Sequence, residues 1–156
     1  MILKKTLVYN FKSKKVGDLC AVCQEFAIDD DSEQDLETHV TILRDEVVLA
    51  EGLFTSHNSG FGYVDLDSIQ AKYKRKGLGT DLMKICVGLI DEQKYPIMKL
   101  RLDALDKEGE LARIAFFKDL GFIQSQGDPN FFSTSVSRLK RFAPNELQLN
   151  ESLSTL

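Results

Sequence analysis

Between residues 69 and 82 the chain reads Ile-Gln-Ala-Lys-Tyr-Lys-Arg-Lys-Gly-Leu-Gly-Thr-Asp-Leu. A β-like run ends here, a basic turn follows, and Gly77 and Gly79 open a run with helical periodicity. Such an arrangement is an anion cradle. Glycine lets the backbone come close to a ligand and adopt positive φ. The first amides of a helix have no partner within it, and the helix dipole places about half a positive charge there. A diphosphate is the natural guest of that terminus. Lys74, Arg75 and Lys76 add charge beside it, and Thr80 adds a hydroxyl in the first turn. Two common phosphate motifs are ruled out. The third glycine of a dinucleotide fingerprint is replaced by Leu82, and no Gly-Lys-Ser/Thr follows.

Other residue types that carry chemistry are less organised. Cys20-Ala21-Val22-Cys23 is a Cys-x-x-Cys pair. Redox or zinc chemistry needs a low-pKa thiol or a second ligand pair. No second pair exists, and His39 and His57 have no ligand spacing, so the cysteines read as core packing and no metal is expected. Asp29-Asp30-Asp31-Ser32-Glu33 reads as a solvated acidic loop, or as a lure for a basic substrate. Arg138, Lys140 and Arg141 form a basic cluster after the last strand.

The elements that position these residues follow from periodicity. Residues 2–10 read as a strand. Residues 13–26 carry Val16, Leu19, Cys20, Cys23 and Phe26 at helical spacing and read as an amphipathic helix. Residues 37–43, 46–54 and 61–69 read as a meander, with a hairpin link at 44–46 and turn formers at 55–60. Residues 77–93 carry Leu78, Leu82, Ile85, Leu89 and Ile90 at helical spacing. A strand over 98–105 and a helix over 108–120 follow, the latter closed by Gly121. Residues 122–125 and 130–137 read as a last strand pair. The order β-α-β-β-β-α-β-α-β-β predicts an α/β fold with a mixed sheet. Residues 1–142 read as one domain and 143–156 as a polar C-terminal tail.

Composition bounds the partners. The chain has 156 residues, with 20 Lys+Arg and 24 Asp+Glu, a formal net charge of −4. A net-acidic chain is a poor coat for nucleic acid. No apolar stretch approaches the ~18–20 residues of a membrane span, and the N-terminus becomes charged too early for a signal peptide. Three cysteines are too few and too odd for a disulfide framework. A reduced, cytoplasmic setting is expected.

With these residues in view, the chain resembles the GCN5-related N-acetyltransferases, the GNAT superfamily. Lys74-Arg75-Lys76-Gly77-Leu78-Gly79 is similar to that family's Gln/Arg-x-x-Gly-x-Gly/Ala motif. Ile69 to Tyr73 is similar to its hydrophobic-Asp-Pro-x-Tyr lead-in, with Gln70 for Asp and Ala71 for Pro. Within Ala115-Phe116-Phe117-Lys118-Asp119-Leu120-Gly121-Phe122, the run from Phe117 to Phe122 is similar to its Tyr-x-x-x-Gly-Phe ending. The likeness runs from about Tyr63 to Phe122. Three positions depart from the pattern. Lys74 lacks a planar multi-donor head. Phe117 stands where a Tyr proton donor is usual. The Asn expected before the second helix aligns with Asp106 or with Glu110.

The resemblance implies a mostly antiparallel sheet flanked by helices, and an acetyl-CoA-dependent N-acetyltransferase acting on a primary amine of a protein or small molecule. Acetyl-CoA would be the co-substrate, held by Ile69, Lys74, Arg75, Lys76, Gly77, Leu78, Gly79, Thr80 and Phe117. The amide of Ile69 would polarise the thioester. A base is needed for the attacking ammonium; Asp65 and Asp67 are the leading candidates, with Glu51 on the neighbouring strand. Cys86, Tyr63 or Tyr95 could supply the missing acid. The basic cluster could meet an acidic partner or the adenosine 3′-phosphate, and homodimers are common in the family. The alternative is a GNAT-fold binding or inhibitory module with little catalysis, of a phage type directed at host or defence proteins.

Overall fold

Strict alternation of inward and outward side chains runs through most of the first half of the chain, and it builds a meander. The computed structural model describes residues 1–28, 35–58, 60–73, 77–102, 107–142 and 150–154, with the backbone alone at 107–110, 142 and 150–154. Five strands come first: β1 (Ile2–Ser13), β2 (Gly17–Ala27), β3 (Leu36–Arg44), β4 (Val47–His57) and β5 (Tyr63–Ala71). Each pairs antiparallel with the next. Then come α1 (Leu78–Leu89), β6 (Ile97–Arg101), α2 (Lys107–Leu120), β7 (Ile123–Gln124), β8 (Phe131–Ser135), α3 (Val136–Phe142) and β9 (Asn150–Ser154).

The strands form one sheet in the order β7-β8-β6-β5-β4-β3-β2-β1-β9. Among the described strands only β5 and β6 run parallel; the helix α1 supplies the crossover that a parallel pair needs. The mixed, mostly antiparallel α/β architecture is the one expected from sequence.

The first helical element of that expectation is corrected. Residues 13–26 form the turn of a hairpin and most of β2. Gly17 takes φ 88° to close the turn, and Leu19, Ala21 and Cys23 point inward at every second position. Apolar residues at 16, 19, 20, 23 and 26 match a helix, but burial follows a period of two. The order therefore starts with five consecutive strands. The β3–β4 hairpin falls where expected, with Asp45 and Glu46 both at positive φ, the pattern of a type I′ turn. The last strand stops at Ser135, and Val136–Phe142 is helical. Asn150–Ser154, within the stretch read as a polar tail, pairs antiparallel with β1 between Thr6 and Asn10.

The core lies between one face of the sheet and α1. Leu78, Leu82, Ile85 and Cys86 of α1 are fully buried, with Ile42, Val64, Met98 and Phe132 of the strands. Gly52 of β4 lets the helix come close: a Cβ there would lie 3.4 Å from Cys86 Sγ and 3.5 Å from Leu82 Cδ2. α3 packs beside α1, burying Val136 and Leu139. The other face of β3, β4 and β5 carries half-exposed polar side chains, including Glu37, His39, Thr55, His57, Tyr63 and Asp65.

Candidate functional site

The site begins where β5 leaves β6. The two strands pair from Tyr63↔Ile97 to Leu66↔Leu100. Past that point, among the described residues, no pair joins them. β6 remains with β8 instead, and Leu102 N–H donates to the Asn130 carbonyl at 2.9 Å. On the other side of β5 the register with β4 shifts between Leu53 and Phe54. Asp67 is the extra residue of this bulge, and a bulge turns its strand.

Hydrogen-bond parity tells which backbone groups face the gap. Lys72 N–H donates to the Leu49 carbonyl at 2.8 Å, and bonded pairs recur at every second residue of an antiparallel ladder. Gln70 is therefore bonded toward β4, while the N–H and C=O of Ile69 and Ala71 point to the parted edge. An extended chain laid along that edge would find a template.

Gly77 opens α1 in the left-handed region (φ 75°, ψ 8°) without a side-chain cap. The first bond inside the helix runs from Asp81 N–H to the Gly77 carbonyl at 3.0 Å. The amides of Leu78, Gly79 and Thr80 precede it, so they have no intrahelical acceptor. Among the described residues, nothing lies within 4 Å of a Cβ at Gly77. These groups fit an anion such as a diphosphate. Lys74, Arg75 and Lys76 lie outside the described residues, as do Asp29 to Glu33 and Asp106. Glu110 is described only in its backbone.

Phe117 is 7% exposed, packed edge-on between Phe116 (5.0 Å) and Phe122 (5.5 Å). The aromatic ring beside the cradle is that of Phe116, one position earlier, 3.5 Å from where a Cβ of Gly79 would sit. No periodicity argument separates these neighbours, because α2 is only weakly amphipathic.

The carboxylates gather on the face opposite α1. His57 Nδ1 lies 2.9 Å from Asp35 Oδ2, and its Nε2 lies 2.8 Å from Asp65 Oδ2. An ionised carboxylate only accepts, so this geometry is satisfied when both ring nitrogens donate. The imidazole stacks on Tyr63 at 4.7 Å, and Lys99 Nζ sits 4.2 Å above the Tyr63 ring. Asp35 also accepts from Asn58 N–H at 3.1 Å. Burial opposes ionisation of Asp35, but the Asn58 amide and His57 together hold its carboxyl below the usual range. Asp67 behaves oppositely. Burial, then the charges of Asp65 and Glu37, push its carboxyl up, against a 2.6 Å hydrogen bond from Thr55 Oγ1 and the charge of His57.

Asp65 and Asp67 thus share the site, but one is tied to an imidazole and the other to a hydroxyl. Sequence reading missed Asp35 and His57, which lie 22 residues apart and meet only through the β3–β4 pairing. Glu51 is exposed and sits opposite Gln70, toward the other end of β4. Tyr95 is buried and donates its hydroxyl to Asn58 Oδ1 at 2.7 Å. Burial holds the Cys86 thiol protonated well above its ordinary range, and it belongs to the core.

The Cys-x-x-Cys pair is split by its strand. Cys23 faces α1, with burial first and Cys20 second pushing its thiol up to about 12, while Cys20 is half-buried on the opposite face. The expectation that both cysteines share one apolar helix face is corrected with the helix itself. Among the described residues, no group of His, Cys, Asp and Glu could hold a metal ion. Arg138, Lys140 and Arg141 lie on α3, the last two in its final turn, where cations complement the helix dipole. Among the described residues no helix is long and apolar enough to cross a membrane.

No family model and no curated protein matches the sequence. Comparison of structures does find likenesses. A chain of the AtaT–AtaR complex bound to DNA matches with a TM-score of 0.55 and 16% identity, over 68% of this chain and 72% of that one. A GNAT-family protein of Desulfovibrio desulfuricans, described as an acetyltransferase, matches with a TM-score of 0.54 and 15% identity, over 64% and 69%. The chain has a GNAT-like fold.

Proposed function

We propose that the protein is an acetyl-CoA-dependent N-acetyltransferase. One observation carries the reading: the β5 edge at Ile69 and Ala71, which pairs with no strand among the described residues, is followed in the chain by the amides of Leu78, Gly79 and Thr80, which have no intrahelical acceptor. A ligand with an amide-bearing arm and a diphosphate needs those two features in that order. The thioester of acetyl-CoA would supply the activated acetyl group. The chain's own contribution is to bind and orient. The α1 amides hold the diphosphate, the β5 edge aligns the arm, and Ile69 N–H donates to the carbonyl oxygen as negative charge develops.

The acceptor arrives as an ammonium and must lose a proton before its nitrogen can attack. Asp67 is the better base of the two candidates. Its carboxyl is pushed up toward the working pH, where general bases are most effective, and only a hydroxyl holds it. Asp65 is committed to His57. One ammonium proton passes to Asp67, the freed amine nitrogen bonds to the carbonyl carbon, the carbon–sulfur bond breaks, and the second N–H proton is lost to water as the amide forms. The thiolate leaves into water, because Phe117 has no proton to give. That same residue favours a second reading, a GNAT-fold binding module with little turnover.

Calorimetric titration with acetyl-CoA tests the proposal. Binding near micromolar, about −8 kcal/mol, that Gly79→Glu abolishes supports the ligand site. Absence of binding by the wild type removes the enzyme reading. Binding without acetylation of any amine acceptor leaves the module.

A further inference from the structure

The hairpin loop between β4 and β5 presents Phe61 with 93% of its surface exposed, the most exposed large hydrophobic side chain described. The loop is pinned on both sides of it. Asn58 donates its N–H to Asp35 at 3.1 Å and accepts from the buried Tyr95 hydroxyl at 2.7 Å. Gly62 lies so close to the next segment that a Cβ there would stand 2.1 Å from the Lys94 carbonyl oxygen. The close approach at Gly62 holds the chain immediately after the ring, and the Asn58 bonds hold the start of the loop. Isolated exposed apolar residues are ordinary, but an exposed aromatic ring beside a candidate site has the character of an interface anchor.

The adjoining surface is acidic. Asp35 touches the loop's own base, and Asp65, Asp67 and Glu37 follow on the same face, with His57, His39 and Lys99 among them. Phe61 stands four positions before Asp65, a separation of at most about 13 Å at ~3.3 Å per residue. A small amine covers the carboxylates alone. An extended peptide covers both the carboxylates and the ring.

We infer that the acceptor is a basic protein segment, in which a lysine faces Asp65 and Asp67 and a large apolar residue about four positions away packs on Phe61. This inference rests on the acetyl-transfer reading for its chemistry, but its binding arm stands apart from turnover. The probes are dye-labelled Gly/Ser peptides with one lysine and one leucine at varied spacing, followed by fluorescence anisotropy. Binding should be tightest near a spacing of four. Phe61→Ser should weaken it about tenfold and leave acetyl-CoA binding unchanged, and a leucine-free peptide should not respond to that substitution.

In acetylation assays the same variant should raise KM for the peptide without changing kcat, and should not affect a short diamine. Binding that ignores both spacing and Phe61→Ser overturns the inference. So does faster acetylation of the diamine than of every peptide. Sedimentation provides another check: a dimer that Phe61→Ser dissociates would assign the ring to a second copy of the chain and overturn it as well. If wild type fails to bind acetyl-CoA, the acetyl-transfer reading falls, while the anisotropy series still decides what Phe61 docks.

Discussion

At the scale of residues, two carboxylates that look equivalent in sequence are set apart by their neighbours. Asp65 and Asp67 are two positions apart and would share a face on a regular strand. The bulge gives Asp67 its own place, next to Thr55, with Asp65 and Glu37 repelling its charge. In the proposed mechanism Asp67→Asn should lower kcat about a hundredfold at neutral pH. Activity should recover partly at high pH, where more acceptor is already deprotonated, with acetyl-CoA affinity unchanged. A pH–rate series on both variants checks this, and equal loss in Asp65→Asn and Asp67→Asn would contradict the assignment. The sign for stability is opposite to that of a paired carboxylate. A folded pKa raised above the unfolded value means that the native state holds its proton longer. Stability then falls as pH rises from the unfolded pKa of ~4 through the raised one. Asp67→Asn removes that penalty, so its thermal midpoint at pH 7 should be no lower than wild type.

At the scale of elements, the two cradle glycines serve different purposes. Gly77 sits at φ 75°, where an L side chain is strained whatever room it has. Gly77→Ala should cost about 1 kcal/mol of stability. Gly79 is helical, and its added Cβ would meet Phe116 at an ordinary 3.5 Å. Gly79→Ala should therefore leave stability unchanged or raise it by up to about 1 kcal/mol, while weakening acetyl-CoA binding if the ligand's diphosphate rests on that amide. Urea unfolding beside calorimetry separates the two effects. A destabilised Gly79→Ala with intact binding would show that this glycine serves packing. α1 itself was legible because five large apolar residues keep helical spacing over three turns. β2 was not, because Leu19, Cys20 and Cys23 satisfy a helical period about as well as a strand period in so short a run. Gly17, in the turn, was the available signal. The clustering of Asp35 with His57 could not be read at all, since it depends on the register of β3 against β4.

At the scale of the whole molecule, sequence gave the sheet's class but not where its last strand lies. Four polar residues and Leu153 at 150–154 carry almost no strand signal, yet they pair with β1 from Thr6↔Ser154 to Asn10↔Asn150. β1 would otherwise be an edge, and an open edge is a template for association. The sequence reading takes residues 143–156 as a polar tail; the pairing argues that residues 150–154 protect the sheet. A chain ending at Phe142 should unfold about 2 kcal/mol more easily, taking several ladder bonds at ~0.5–1.5 kcal/mol each with partial replacement by water. Hydrogen exchange should localise the effect, with protection lost at the alternate amides of residues 6–10 that face β9 and retained in β3, β4 and β5. The shortened chain should also self-associate more readily as its concentration rises, because the exposed strand accepts another. The proposed acetyl-CoA site lies four strands away from β1, across the centre of the sheet, so affinity for that ligand should be unaffected. Unchanged stability and unchanged exchange at residues 6–10 would show that the terminal strand adds nothing to the fold, and the boundary at 142 would then stand as the functional one.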